Sequence, residues 1–135
     1  MLDWLQRPHV KKWWDDGDDT IDKVTAHYSS DTKDTKRFIV EFDGEDAGYF
    51  QYYRFDYRHI GADQFLADRD GLSKGIGTRC LLAFIDLIIA NEAPEIISVD
   101  PHPENKRAIR SYEKCGFDHD ASRSTSRTYF MIKNC

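Results

Sequence analysis

A glycine-rich turn that runs straight into an apolar segment is the strongest constraint on the fold of this chain. The turn is GLSKGIGTRC, Gly71 to Cys80, and LLAFIDLIIA, Leu81 to Ala90, follows it. A helix N-terminus carries unpaired N–H groups and the positive end of a dipole, and glycines let an anion approach the backbone. The sequence predicts a helix over residues 75–91, packed on most of its surface, with an anion site at its start.

Three anion-binding motifs compete for this turn. A P-loop needs Lys and Ser or Thr directly after its last glycine, and Gly75 is followed by Ile76. A dinucleotide fingerprint needs a third glycine where Cys80 stands. The pyrophosphate loop of acyl-CoA-binding acetyltransferases, Q/R-x-x-G-x-G/A, fits except at its first position, which is Leu72. A plain glycine turn before a core helix remains the alternative.

The rest of the chain alternates short strands with amphipathic helices. Helices are predicted over residues 2–14, with an interruption at Pro8, and over residues 20–28 and 105–116. Strands are predicted over residues 36–42, 49–60, 61–68, 95–100, 117–121 and 127–133. Helices come first, an antiparallel meander follows, and a β-α-β-α-β-β run ends the chain, which predicts a mixed α/β sheet with helices on both faces.

Composition narrows the class of protein. The 135 residues suffice for one domain, which we expect to span residues 1–135. The net charge of −5 disfavours binding to nucleic acid and suits a cationic partner. Three cysteines without a CxxC pair predict free thiols and a cytoplasmic location. The longest apolar run is too short to span a membrane, the N-terminus lacks the apolar core of a signal peptide, and the histidines show no metal-ligand spacing.

Four segments carry a resemblance to a known family. They are GADQFL, LSKGIGT with its apolar helix, SVDPHPENKRAIRSYEKCGF, and HVKKWWDD near the start. With them the chain resembles the GCN5-related N-acetyltransferase (GNAT) superfamily, and within it the aminoglycoside 6′-N-acetyltransferases and related siderophore-type N-acyltransferases. The resemblance implies the family's mixed, mainly antiparallel sheet. The chain departs from the pattern at its front, where the usual first strand is expected to be missing.

The resemblance also implies acetyl-CoA as cofactor and assigns residues to it. Its pyrophosphate would lie on the turn formed by Ser73, Lys74, Gly75, Ile76, Gly77 and Thr78. Its pantetheine arm would pair with the main chain of Phe65 and Leu66. Asn105 matches a cofactor-contacting position and equally suits the cap of the helix that it opens.

Catalytic and acceptor-binding residues follow from the same resemblance. Asp63 matches the family's base and Tyr112 its acid, although a solvent-facing carboxylate and a core tyrosine are the alternatives. Asp100 contacts the amine-bearing substrate in the resemblance. Trp13 and Trp14, with Asp15 and Asp16, pair flat apolar faces with negative charge that suits a polycationic amine, although an aromatic residue that covers the core is the alternative for one of the two tryptophans. The aromatic residues between Tyr49 and Tyr57 are interpreted as strand packing rather than as a site.

The predicted function is therefore acetyl-CoA-dependent N-acetylation of a primary amine by direct transfer in a ternary complex, without a nucleophilic cysteine. The 6′-amine of an aminoglycoside is the expected acceptor, which implies antibiotic resistance. Acylation of a hydroxylated lysine or polyamine in siderophore synthesis is one alternative, and an inactive acyl-CoA-binding module is another. The protein is expected to be a monomer or a homodimer.

Overall fold

The computed structural model describes residues 2–12, 34–42, 44–66 and 76–135. Two short helices, α1 (Leu2–Gln6) and α2 (Pro8–Lys11), precede three strands, β1 (Thr35–Phe42), β2 (Glu45–Arg54) and β3 (His59–Leu66). The second half runs α3 (Ile76–Glu92), β4 (Ile96–Val99), α4 (Lys106–Lys114), β5 (Asp118–His119), a 3₁₀ turn (Ala121–Arg123) and β6 (Met131–Asn134). The predicted helix over residues 20–28 lies outside the described residues.

The six strands form one sheet in the order β1-β2-β3-β4-β6-β5. All neighbouring strands are antiparallel except β3 and β4, which run parallel and are joined through α3. Within the described residues, the pairing of β3 with β4 ends where Gly61 faces Ser98, whereas β3 continues to Leu66. Because β4 ends at Val99, the last residues of β3 extend beyond its pairing with β4. The predicted mixed, mainly antiparallel sheet is confirmed.

Helices cover the sheet on both faces and create two apolar clusters. On one face α3 and α4 pack over the larger cluster, in which Phe50, Ile60 and Ile97 are fully buried beneath Phe84 and Ile109. On the other face a smaller cluster joins the front helices to β2 and β3; it consists of Leu5, Val10, Tyr49 and Phe65. The second face of the sheet is therefore apolar where the front helices pack on it. Polar residues of β2 and β3 lie next to this smaller cluster.

The front helices also fasten the end of β3 directly. Pro8 occupies the first turn of α2, where its missing N–H costs nothing, and it separates α2 from α1 as expected. Nε2 of His9 donates a hydrogen bond to the carbonyl oxygen of Leu66 at 3.0 Å. A carbonyl can only accept, so this contact fixes the proton on Nε2 and ties α2 to the last residue of β3.

Two predicted strands run too far in the sequence predictions. Residues 55–58 form the turn between β2 and β3, because Oδ1 of Asp56 accepts from the backbone N–H groups of Arg58 and His59. The predicted strand over residues 127–133 begins only at Met131, since the N–H of Tyr129 donates to the carbonyl of Pro101. Both predicted strands were wrong over these residues.

The helix α3 is also less enclosed than its sequence suggests. One side, with Leu81 and Ile88, is buried in the larger cluster, but three large apolar side chains lie on its outer side: Leu82, Leu87 and Ile89. Within the described residues this helix is therefore packed on one side only, and the prediction that most of its surface is covered was wrong.

Candidate active site

The candidate base, Asp63, lies on β3 on the same face as the front helices. It is partly buried and stands directly opposite Gln51 of β2. Nε2 of Gln51 donates a hydrogen bond to Oδ2 of Asp63 at 3.3 Å. The side chain is therefore directed into the fold, and the alternative of a solvent-facing carboxylate at this position does not describe its surroundings.

A second carboxyl group meets Asp63 from the next strand. Asp100 follows the last residue of β4, and the parallel pairing of β3 with β4 brings it beside Asp63. Their carboxyl groups are within hydrogen-bonding distance of each other, so the pair can share one proton. Burial and the charge of Asp100 raise the pKa of Asp63 to about 7, and burial raises the pKa of Asp100. The pair is a site of concentrated negative charge that one proton partly neutralises.

Two tyrosines complete the surroundings of the acid pair. Tyr53 of β2 is hydrogen-bonded to Asp63, and its pKa is raised by burial and by both carboxylates. Tyr112 of α4 is buried in the larger cluster, and burial together with the charges of Asp63 and Asp100 raises its pKa. Both phenols stay protonated at neutral pH, so each can donate a hydrogen bond but cannot act as a base.

The packing of two aromatic rings beside this site depends on Gly61. Tyr53 faces Gly61 across the β2–β3 pair, and its ring contacts Phe55 with centroids 5.2 Å apart. A Cβ atom at position 61 would lie 2.5 Å from the Tyr53 ring and 2.8 Å from the Phe55 ring. The two aromatic side chains therefore occupy the space over Gly61 that any other residue would need.

Gln51 and Tyr53 were not predicted as site residues. Alternation along a strand places residues 51, 53 and 55 on one face, but their partners on β3 depend on where the turn lies. The interpretation of these aromatics as strand packing alone was wrong for Tyr53, which is hydrogen-bonded to Asp63.

Of the residues predicted to hold the cofactor, those that the structure describes lie at the end of β3 and at the starts of α3 and α4. Gly77 is in the first turn of α3, with the side chain of Leu66 3.4 Å from the position of a Cβ atom. The hydroxyl of Thr78 is hydrogen-bonded to that of Ser111 at 3.0 Å, which ties α3 to α4. Asn105 caps α4 by accepting a hydrogen bond from the N–H of Ala108 at 3.3 Å. Ile76 begins α3, while Phe65 and Leu66 end β3.

One buried polar atom in this region lacks a partner. Oε1 of Gln64 is buried without a hydrogen-bond partner among the described residues. Gln64 is on the part of β3 that extends beyond its pairing with β4. A buried carbonyl oxygen without a donor is costly, and a ligand that carries amide N–H groups would satisfy it. Pantetheine has two such amides, so this edge fits the arm of coenzyme A.

Several predicted site residues cannot be placed. Trp13, Trp14, Ser73, Lys74 and Gly75 lie outside the described residues. Their assignments to the acceptor and the cofactor remain predictions.

The cysteines and histidines that the structure describes form no second centre. Cys80 and Cys115 are buried in the larger cluster, and burial raises the pKa of each thiol. Across the described ranges, no group of three potential metal ligands comes together. No helix in the described part of the chain is long and apolar enough to cross a bilayer.

The fold, the end of β3 that extends beyond β4, and the acid pair are those of an acetyltransferase. The acetyltransferase (GNAT) domain family matches residues 1–125, and the chain belongs to this family. It is 31% identical over 142 residues to an aminoglycoside N(6′)-acetyltransferase type 1 from Klebsiella pneumoniae, which covers 93% of this chain and 71% of the relative. It is 27% identical over 113 residues to the spermidine N(1)-acetyltransferase of Escherichia coli K12, covering 80% of this chain and 60% of the relative.

A solved structure matches nearly the whole chain. The crystal structure of aminoglycoside acetyltransferase AAC(6′)-Ib with coenzyme A and kanamycin superimposes with a TM-score of 0.84 at 28% identity. The match covers 98% of this chain and 86% of that one. The resemblance inferred from the four sequence segments is confirmed.

Proposed function

We propose that this chain is one domain that transfers the acetyl group of acetyl-CoA to a primary amine of a polycationic acceptor, the 6′-amine of an aminoglycoside. The observation that carries the proposal is the pair of facing carboxyl groups at the end of the sheet, with Asp63 partly buried and Asp100 at the surface. Two carboxyl groups this close concentrate negative charge at a place that an acceptor can reach from solvent, which suits an ammonium group. The relative that acts on aminoglycosides supports this choice of acceptor.

The acid pair would bind the acceptor and accept its proton. An alkyl ammonium has a pKa near 10, so it arrives charged and must lose a proton before its nitrogen can attack. Asp63 is the group for this step, because a carboxylate whose pKa is raised by burial is a stronger base than an exposed one. Asp100 would hold a second contact with the ammonium and orient it.

Tyr112 would stabilise the departing sulfur. Its raised pKa keeps the hydroxyl protonated, and a phenol is a weaker acid than a thiol, which has a pKa near 8.5. Complete proton transfer from Tyr112 to the thiolate is therefore uphill, and the hydroxyl acts by donating a hydrogen bond. The buried thiols of Cys80 and Cys115 disfavour a covalent acetyl-enzyme, so transfer is direct.

Acetyl-CoA supplies an activated acyl thioester when bound. The N-terminus of α3, with the preceding turn, would hold its pyrophosphate, and the end of β3 with Gln64 would accept its amide N–H groups. Asn105 and Thr78 would act here mainly through the backbone that they fix, since their side chains bond to Ala108 and Ser111. Three free cysteines suit the reducing cytoplasm, where we place the reaction.

The test is release of free coenzyme A with a panel of amines: kanamycin, spermidine and hydroxyornithine. We expect turnover with kanamycin, and a loss of about 100-fold or more in kcat/KM in Asp63→Asn. Asp118→Asn, which removes an exposed carboxylate on β5, is the matched control and should keep full activity. Expression of the wild type, but not of Asp63→Asn, should raise the kanamycin concentration that a bacterial host survives.

Polyamine acetylation is the second candidate, favoured by the similarity to spermidine N(1)-acetyltransferase. Turnover with spermidine and none with kanamycin would select it, and turnover with hydroxyornithine alone would select siderophore-type chemistry. Tight acetyl-CoA binding without turnover on any amine would instead identify a binding module.

A further inference from the structure

A hydrogen-bonded chain of three side chains reaches Asp63 from the edge strand. Nη1 of Arg37, on β1, donates to Oε1 of Gln51 at 3.0 Å and to the hydroxyl of Tyr49 at 3.0 Å. The hydroxyl of Tyr49 donates to the same Oε1 at 2.7 Å. Nε2 of Gln51 then donates to Oδ2 of Asp63.

The two donors determine which end of the Gln51 amide faces the carboxylate. If the amide were rotated by half a turn, its NH₂ group would face the Arg37 guanidinium and the Tyr49 hydroxyl proton, and its oxygen would face the Asp63 carboxylate. The contacts with Arg37 and with the Asp63 carboxylate would then be repulsive, and the Tyr49 hydroxyl would have to turn from donor to acceptor. With Arg37 and Tyr49 in place, only the orientation that gives Asp63 a donor is favourable.

Tyr49 also makes this orientation rigid. It is 2% exposed and packs in the smaller cluster against Phe65, with ring centroids 5.7 Å apart. Its hydroxyl is therefore held in place by the same apolar contacts that seat the front helices on the sheet. The position of the Gln51 amide follows from that packing.

Several groups around Asp63 affect its ionisation, and the hydrogen bond from Gln51 opposes those that favour the protonated form. Asp100 faces it from the end of β4, Tyr53 from β2 and Tyr112 from α4. Burial and the Asp100 charge favour the protonated, inactive form of the base, whereas the hydrogen bonds from Gln51 and Tyr53 favour the carboxylate. Of these two donors, Gln51 is the one whose orientation is set by a further pair of residues.

We propose that Arg37, Tyr49 and Gln51 are positioning residues that keep Asp63 available as the ionised base at neutral pH. The kinetic part of this inference rests on the proposed acetyltransferase function. The part that concerns ionisation does not, because the carboxyl group titrates whether or not the protein turns over.

Direct titration of Asp63 is the first experiment. The ¹³Cγ resonance of Asp63 is followed against pH in wild type, Tyr49→Phe, Arg37→Gln and Gln51→Leu, without substrate. Gln51→Leu removes a hydrogen bond to the carboxylate and should raise the titration midpoint by about 1 pH unit. Tyr49→Phe and Arg37→Gln leave that donor in place but no longer fix its orientation, so they should raise the midpoint by about 0.5 pH unit. Lys36→Gln is the matched control, since it removes the same charge from the neighbouring position on β1 but faces Tyr52 rather than Gln51.

The pH profile of kcat/KM is the second experiment. The acid limb should move to higher pH in the three variants, with a loss of about 3- to 10-fold below the midpoint and convergence with wild type above about pH 9. Arg37→Lys should recover part of the loss. A merely structural role would lower activity equally at every pH.

Two results would overturn the proposal. One is an Asp63 midpoint in Tyr49→Phe and Gln51→Leu that equals the wild-type midpoint in proteins with native-like spectra. The other is a shift in Lys36→Gln as large as that in Arg37→Gln, which would assign the effect to long-range charge. Absence of turnover with every amine would contradict the proposed function and leave the titration result standing.

Discussion

Asp63 and Asp100 face each other carboxyl to carboxyl and can share one proton. They come from two neighbouring segments of the sheet, and their meeting depends on the parallel pairing of β3 with β4, the one parallel pairing among the described strands. An antiparallel neighbour would place the residue after its strand at the opposite end of β3. The acid pair therefore depends on the connection through α3, which makes β4 run parallel to β3.

Binding of a cationic acceptor is expected to release this shared proton. An ammonium group between the carboxylates favours their ionised forms, so the pKa of Asp63 falls on binding. At pH 6 we expect release of up to about one proton per site. Calorimetry of kanamycin binding in buffers with different ionisation enthalpies measures the number. The value should fall in Asp100→Asn, and proton uptake in the wild type would contradict the proposed pair.

The acid pair is also expected to cost stability at neutral and basic pH. The folded pKa of Asp63 is raised, so the folded chain binds this proton more tightly than the unfolded chain, in which the pKa is near 3.9. Stability from this group is therefore complete below about pH 4 and is lost as the pH rises towards 7. Asp63→Asn should be more stable than wild type at pH 8, with a smaller gain at pH 4.

Urea unfolding at the two pH values tests this expectation, with Asp118→Asn as the control for loss of an exposed carboxylate. A gain in Asp63→Asn that is equal at both pH values would point to packing rather than to ionisation.

Tyr112→Phe should slow transfer without weakening cofactor binding. The hydroxyl acts only on the departing sulfur, and a thiolate already leaves readily, so we expect a loss of about tenfold in kcat. The Kd for acetyl-CoA should be unchanged. Tyr57→Phe, at a side chain that is 79% exposed, is the matched control. A parallel loss of acetyl-CoA affinity would assign Tyr112 to the core alone.

Asn105 combines a helix cap with a predicted cofactor contact, and two variants separate them. Asn105→Ala removes the acceptor for the N–H of Ala108 and should lower the free energy of unfolding by about 1 kcal/mol. Asn105→Asp keeps the cap but adds a negative charge, so it should retain stability and weaken acetyl-CoA binding. Unchanged affinity in Asn105→Asp would limit Asn105 to capping. Thermal unfolding and equilibrium binding of acetyl-CoA are the two measurements.

The elements with strong local signals were predictable from the sequence. Pro8 marks a helix start, and the apolar spacing of Ile109 and Tyr112 marks the buried side of α4. The base and its partner were assigned by resemblance to a family, because spacing alone does not bring Asp63 and Asp100 together. Their encounter depends on the order of strands in the sheet.

The position of the turn between β2 and β3 explains why Gln51 and Tyr53 could not be predicted as site residues from the sequence. Aromatic residues continue through positions 52–57, so strand propensity gives no signal for a break. The local cue is Asp56, whose short side chain accepts two backbone N–H groups. Once residues 55–58 are known to form the turn, the register places Gln51 opposite Asp63 and Tyr53 opposite Gly61.

The space above Gly61 restricts the order in which substitutions at positions 53, 55 and 61 can accumulate. Tyr53 and Phe55 fill the volume that a side chain at position 61 would need, and Tyr53 is bonded to the base. A lineage that acquires alanine at position 61 first must displace both rings and disturb Asp63. A lineage that first replaces both rings with smaller residues opens that route but gives up the Tyr53 contact. Substitutions at these positions should therefore be strongly epistatic, with few viable paths between the two states.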